Sequence, residues 1–142
     1  MAVEAMRSVH LGDPATLKAL FFGELWRGRD NVRVSLRAPL TVRSAVGIAI
    51  PIITLLALVA IPAGLVMAPF AWPLGGVALA GLAAAWILIL SGAHASAVAS
   101  HATTTGAAPV PFGRLWRVVL VYHIARALAL VSRSGHSVRR KS

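Results

Sequence analysis

Arg29, Arg33 and Arg37 recur at i, i+4 and i+8, so on a continuous helix their guanidinium groups share one face. A planar guanidinium suits two-pronged contact with phosphate oxygens. Two sources of phosphate fit: anionic headgroups, which need only proximity and contribute about 1 kcal/mol per basic residue near the surface, or a diphosphate substrate. His94 and His101 stand seven apart, a spacing that can share a helical face, but no carboxylate or cysteine lies near them to complete a metal site. They read as interfacial polar residues. The four acids are Glu4, Asp13, Glu24 and Asp30, and Asp13, placed directly before Pro14, reads as a helix cap. The sequence shows no nucleophile triad, glycine-rich phosphate loop or carboxylate pair, and so no self-sufficient active site. Cysteine is absent, which excludes disulfides and thiolate metal centres.

These residues lie around a long neutral stretch. Arg43 and Arg114 bracket 70 residues without Asp, Glu, Lys or Arg. A soluble fold of 142 residues would have to solvate that stretch, and a bilayer would not. Val46 to Met67 is long enough as a helix to cross roughly 30 Å of hydrocarbon. Pro51 and Pro62 lie inside it, and kinks of this kind are tolerated in membranes when neighbours satisfy the freed carbonyls. Ala68 to Pro73 is a tight uncharged connection in which Trp72 suits the interface, and a second span runs from about Leu74 to Ala95. Seven basic residues precede the first span, seven follow the second and none lies between, so both ends are expected on the cytoplasmic side. Gly76, Ala80 and Ala84, and likewise Gly81 and Ala85, have the small-xxx-small spacing that allows close helix approach. The expected partner is the first span, and the alternative is a second copy of the chain in a dimer seam.

On the N-terminal side, Leu17, Leu20, Phe21 and Leu25 follow Asp13-Pro14 at helical spacing, and Pro39 ends that segment. On the C-terminal side, Ser96 to Pro111 reads as a loop. Phe112 to Val131 reads as an amphipathic helix lying in the interface, because Arg114, Arg117, His123 and Arg126 make a third span costly. Ser132 to Ser142 is a short basic tail. The expected fold is therefore an all-α membrane protein, a two-helix transmembrane hairpin flanked by amphipathic interfacial helices. It divides into a cytoplasmic basic segment (1–43), the hairpin (44–100, with spans at about 46–67 and 74–95), and a cytoplasmic loop, interfacial helix and basic tail (101–142). The net charge of +10 flanks hydrophobic spans, so the partner it implies is a bilayer with anionic headgroups and not nucleic acid.

Ser8-Val9-His10-Leu11-Gly12-Asp13-Pro14-Ala15-Thr16-Leu17, followed by Phe21-Phe22-Gly23-Glu24-Leu25-Trp26-Arg27-Gly28-Arg29, resembles the end of the catalytic domain of membrane-bound family 2 glycosyltransferases. There a last strand delivers a Val-His element, a Thr-Leu-bearing helix follows, then an Arg-Gly or Arg-Trp element and the membrane helices. The resemblance implies that His10 approaches a metal or the sugar-nucleotide diphosphate. It further implies that Arg27 contacts phosphate and that Trp26 lines the acceptor side. Glu24 stands where Gln or Arg is common, and Gly28 where processive synthases carry Trp, which points to transfer of a single sugar.

By this resemblance the chain is the membrane-anchoring C-terminal part of an enzyme that moves a sugar from a nucleotide-sugar to a lipid-linked or cell-envelope acceptor. It would be inactive alone, since the nucleotide-binding domain and its Asp-x-Asp site would precede Met1. A divalent metal, Mg or Mn, is implied only in union with that domain. The expected location is a bacterial-type inner membrane, multi-pass, with both termini cytoplasmic. The alternative is a small non-enzymatic hairpin protein that scaffolds or assembles a membrane complex.

Overall fold

The computed structural model describes residues 16–29, 41–70, 73–106 and 108–132. Within them the chain is all-helical, with four helices and no strand: α1 (Leu17–Gly28), α2 (Val42–Met67), α3 (Pro73–Thr104) and α4 (Phe112–Ala129). Two of these, α2 over Ser44–Met67 and α3, are long and apolar enough to cross a membrane.

Local chemistry sets the starts of α1, α2 and α3. Thr16 caps α1, its hydroxyl accepting the Ala19 amide at 3.1 Å. The helix thus begins at Leu17, and Asp13 and Pro14, where a start was expected, lie outside the described residues. A reciprocal capping box starts α2: the Thr41 hydroxyl accepts from the Ser44 amide at 3.2 Å, and the Ser44 hydroxyl accepts from the Thr41 amide at 2.9 Å. Pro73, which has no amide hydrogen to leave unsatisfied, is the first residue of α3.

The interior of α2 and α3 is made of small residues. Gly64 and Gly76 face each other so closely that a Cβ on Gly64 would strike the Gly76 carbonyl oxygen, and one on Gly76 would lie 2.5 Å from the Gly64 carbonyl oxygen and 2.8 Å from the Ala68 amide nitrogen. Farther along, Ala57, Ala83 and Ile87 form a small buried cluster joined by Leu58, Ile61 and Leu120. The large apolar side chains point the other way: Leu56, Val59, Leu65 and Val66 of α2, and Leu74, Val77, Leu82 and Ile89 of α3, are exposed. The most apolar stretches of the two helices are only 17% and 28% buried, whereas a core helix of a soluble protein is mostly covered. Contiguous apolar surface on this scale marks contact with an apolar partner or a membrane. The expected small-residue packing of the second span holds for Gly76 and Ala80, both buried, while Gly81 meets nothing within 4 Å.

The structure lengthens the second span. Ser96 to Thr104, read as loop, continues α3, so the helix crosses the expected boundary at residue 100. Ser100, Thr103 and Thr104 turn their hydroxyls onto carbonyls of the preceding turn, at 3.0, 2.7 and 2.7 Å, which satisfies those hydroxyls without breaking the helix. The helix ends where Gly106 takes a φ of +70°, a left-handed conformation open to glycine.

Helix α4 packs against all three other helices and buries Val119, His123, Ala125, Ala127 and Ala129. Helix α1 lies on it through Gly28, where a Cβ would come 2.6 Å from that of Ala129. The same end is tied by Arg29, whose Nε donates to Ser132 Oγ at 3.2 Å, while that hydroxyl donates to the Ala129 carbonyl at 3.1 Å.

The Gly64–Gly76 contact is backbone against backbone, so an added methyl group cannot be absorbed by turning a side chain. Gly64→Ala should destabilise the helix pair by about 1–3 kcal/mol through overpacking. Gly81→Ala, facing open space, should be neutral or gain up to about 1 kcal/mol of helix propensity. Thermal unfolding of the two variants in detergent micelles checks the contrast.

Candidate functional site

Polar side chains converge at the end of the bundle away from the Met67–Pro73 connection. His94 Nδ1 of α3 and His123 Nε2 of α4 share a hydrogen bond of 3.1 Å. One turn on, Arg126 donates from Nη1 to the Tyr122 hydroxyl at 2.8 Å and sits 5.3 Å from the centroid of that ring. The Tyr122 ring meets both imidazoles edge-on. Tyr122 and Arg126, at i and i+4, and His123 beside them are set on one side of α4 by helical spacing alone. These residues, with Gly47, Ile50 and Pro51 of α2, line a cleft of about 440 Å³.

The α2 wall follows from a single proline. Pro51 has no amide hydrogen, so the Gly47 carbonyl, its i−4 neighbour, loses the donor it would have in an unbroken helix. Gly47 brings only backbone to the cleft lining. One turn deeper between the helices, three residues beyond Pro51 and three before His94, the hydroxyls of Thr54 and Ser91 are fully buried without a hydrogen-bond partner. The polar end of the helix pair therefore reaches at least a turn into its apolar body.

His123 is buried, and desolvation lowers its pKa from 6.5 to about 4, with His94 and then Arg126 adding to the effect. The imidazole is therefore neutral at pH 7. With His123 neutral, one nitrogen of the 3.1 Å contact donates and the other accepts. Whichever tautomers are present, at least one outer N–H remains for other contacts.

The residues singled out in the sequence are not gathered here. Trp26 is 72% exposed on α1. The Arg27 Nη1 is held 2.8 Å from Glu24 Oε1, and Glu24 is buried, so the acid at this departure from the family pattern steadies the arginine next to it. Helix α1 stops at Gly28, and Arg29 caps it and bonds Ser132. Arg33, Arg37 and His10 lie outside the described residues. His101 is exposed, and the partner of His94 is His123. Among the described residues no group of three or more His, Asp or Glu side chains could hold a metal ion. The cleft is also a poor place for a divalent cation, because Arg126 lines it. Tyr122, His123 and Arg126 went unrecognised because their polarity was read as a reason to keep the helix at a surface; the available signal was that all three fall on one helical face.

Comparison of the chain with protein-family models, with curated proteins and with solved structures found no match.

The lowered pKa of His123 makes stability depend on pH. Its folded value lies below its unfolded value, so the unfolded chain binds the proton more readily. The stabilisation is complete above pH 6.5 and is lost as pH falls toward 4. The expected loss between pH 7 and pH 4 is on the order of 3 kcal/mol. Thermal unfolding across that range should show it in the native chain, and His123→Gln should flatten the dependence.

Proposed function

We propose that this chain is the membrane anchor and acceptor-side platform of a family 2 glycosyltransferase. Helices α2 and α3 form a transmembrane hairpin in a bacterial-type inner membrane, and α1 and α4 lie at its cytoplasmic face with both termini on that side. The chain does not catalyse transfer by itself. It holds a nucleotide-sugar-dependent catalytic domain, with that domain's Mg or Mn, beside a lipid-linked or cell-envelope acceptor.

The observation that carries the reading is the docking of α1. This helix bears the Gly-Glu-Leu-Trp-Arg-Gly stretch (23–28), and it is fixed to α4 at its C-terminal end by the Gly28–Ala129 approach and the Arg29–Ser132 bond. A catalytic domain joined ahead of α1 would thereby be held at a set distance from the spans. Phe22 and Trp26, four residues apart, are both exposed and offer an aromatic face to such a domain. The departure at Gly28 also has a packing reason, since a tryptophan there would collide with α4.

The same exposed pair suits the scaffold reading, in which Phe22 and Trp26 meet a separate protein. Purification in mild detergent separates the two: one stoichiometric partner with no nucleotide-sugar binding supports the scaffold. The glycosyltransferase reading expects, in an enzyme containing the catalytic domain, that Arg27→Ala lowers sugar transfer at least tenfold, the scale of a lost charge-assisted contact. Arg37→Ala should change it less than twofold, the range of a surface charge. Small, equal effects measured with radiolabelled nucleotide-sugar would remove the assignment of Arg27.

A further inference from the structure

We propose that the cleft formed by His94, Tyr122, His123 and Arg126 binds a phosphate group, carried on a lipid headgroup or free in solution. Four features of the site point to an anion of this kind.

First, the side chains that line the cleft are rich in hydrogen-bond donors. Arg126 spends one N–H on the Tyr122 hydroxyl and keeps others in its planar fork. Tyr122, accepting that bond, has its own O–H free to donate. The imidazole pair adds one N–H. Second, among the described residues no acid balances Arg126. Glu24 is the one carboxylate among the described residues, and it is paired with Arg27. Arginine with tyrosine and histidine donors recognises phosphate oxygens well, while a cation would meet the arginine charge.

Third, the site is at the right depth. Gly47 lies twenty residues before Met67, and His94 twenty-one after Pro73. At 1.5 Å per residue each is about 30 Å from the connection between the spans, the thickness of the hydrocarbon core. With that connection at one interface, the cleft opens at the level of the phosphates of the other. The transmembrane reading is used only here, and only to name a source for the phosphate. Fourth, about 440 Å³ is within the range of small-molecule sites and accommodates a headgroup phosphate with its first bonded atoms.

The test uses the full chain in dodecyl maltoside micelles, which contain no phosphate. Dioctanoyl phosphatidic acid is titrated in and followed by ³¹P line broadening. Arg126→Gln should weaken binding tenfold or more and Tyr122→Phe several-fold, the scale of lost charge-assisted and neutral hydrogen bonds. Arg114→Gln, outside the cleft, should have no effect. Tyr122→Phe keeps the ring and its packing, so it reads the donor even if Arg126→Gln fails to fold. Inorganic phosphate that competes at equal concentration makes free phosphate the ligand, and failure to compete makes it the lipid headgroup. Equal affinities in the native chain, Arg126→Gln and Tyr122→Phe overturn the proposal. So does displacement of the probe by phosphate-free dioctanoylglycerol, or an equal loss in Arg114→Gln and Arg126→Gln.

Discussion

A helix pair that keeps glycine, alanine and hydroxyl residues inside, and leucine, valine and isoleucine outside, is suited to apolar surroundings. In water the burial of Ala57, Ala83 and Ile87 would stabilise the pair only slightly, at roughly 25 cal/mol per Å² of apolar surface removed from solvent. In hydrocarbon the outward side chains cost nothing to expose. What then joins the helices is close van der Waals contact, which small residues allow. The Gly64–Gly76 contact is that kind of joint, and it sits at the end next to the connection, where the chain itself already holds the helices together.

The same constraint distributes the polar groups. Between Arg43 and Arg114 no charge interrupts the chain, and the hydrogen-bonding side chains of α2 and α3 that find a tertiary partner lie at the end away from the connection. His94 meets His123 there, and Pro51 frees a carbonyl on the facing helix. Helix α4 closes that end, with α1 on its outer side, so Arg126 is turned toward α2 and α3 and held by Tyr122. Thr54 and Ser91 are the exceptions: buried hydroxyls without partners, each an unfavourable contribution of about 1–3 kcal/mol. Their position one turn below the cleft makes them part of the same polar end of the bundle.

Much of this was legible in the sequence because its signals were local or additive. An uncharged run of span length, a break between the two apolar helices near Pro73 and Gly76 with Ala80 as a packing stripe each follow from residue type and spacing. Three features were not legible. The continuation of α3 through Ser96–Thr104 was hidden by hydroxyl and histidine residues that favour loops in general, yet here satisfy themselves on their own helix. The cap of α1 at Thr16 was another, a hydroxyl at the start of an apolar stripe that the sequence reading did not single out. The cleft needed the long-range pairing of His94 with His123, 29 residues apart, which no periodicity within one helix contains. The elements between His10 and Arg37 on which the glycosyltransferase resemblance rests are described only from Thr16 to Arg29, and there they show a docked helix, an exposed Trp26 and an arginine paired with its own neighbour.

The central claim is that α2 and α3 cross a membrane and return, with α1 and α4 on one side. The native chain has no cysteine, so single cysteines placed at Phe70 in the connection and at Thr105 after α3 report location without background. Intact cells treated with a membrane-impermeant maleimide should label Phe70→Cys and leave Thr105→Cys unlabelled until the cells are lysed. Labelling of both positions in intact cells, or of neither, would contradict the account.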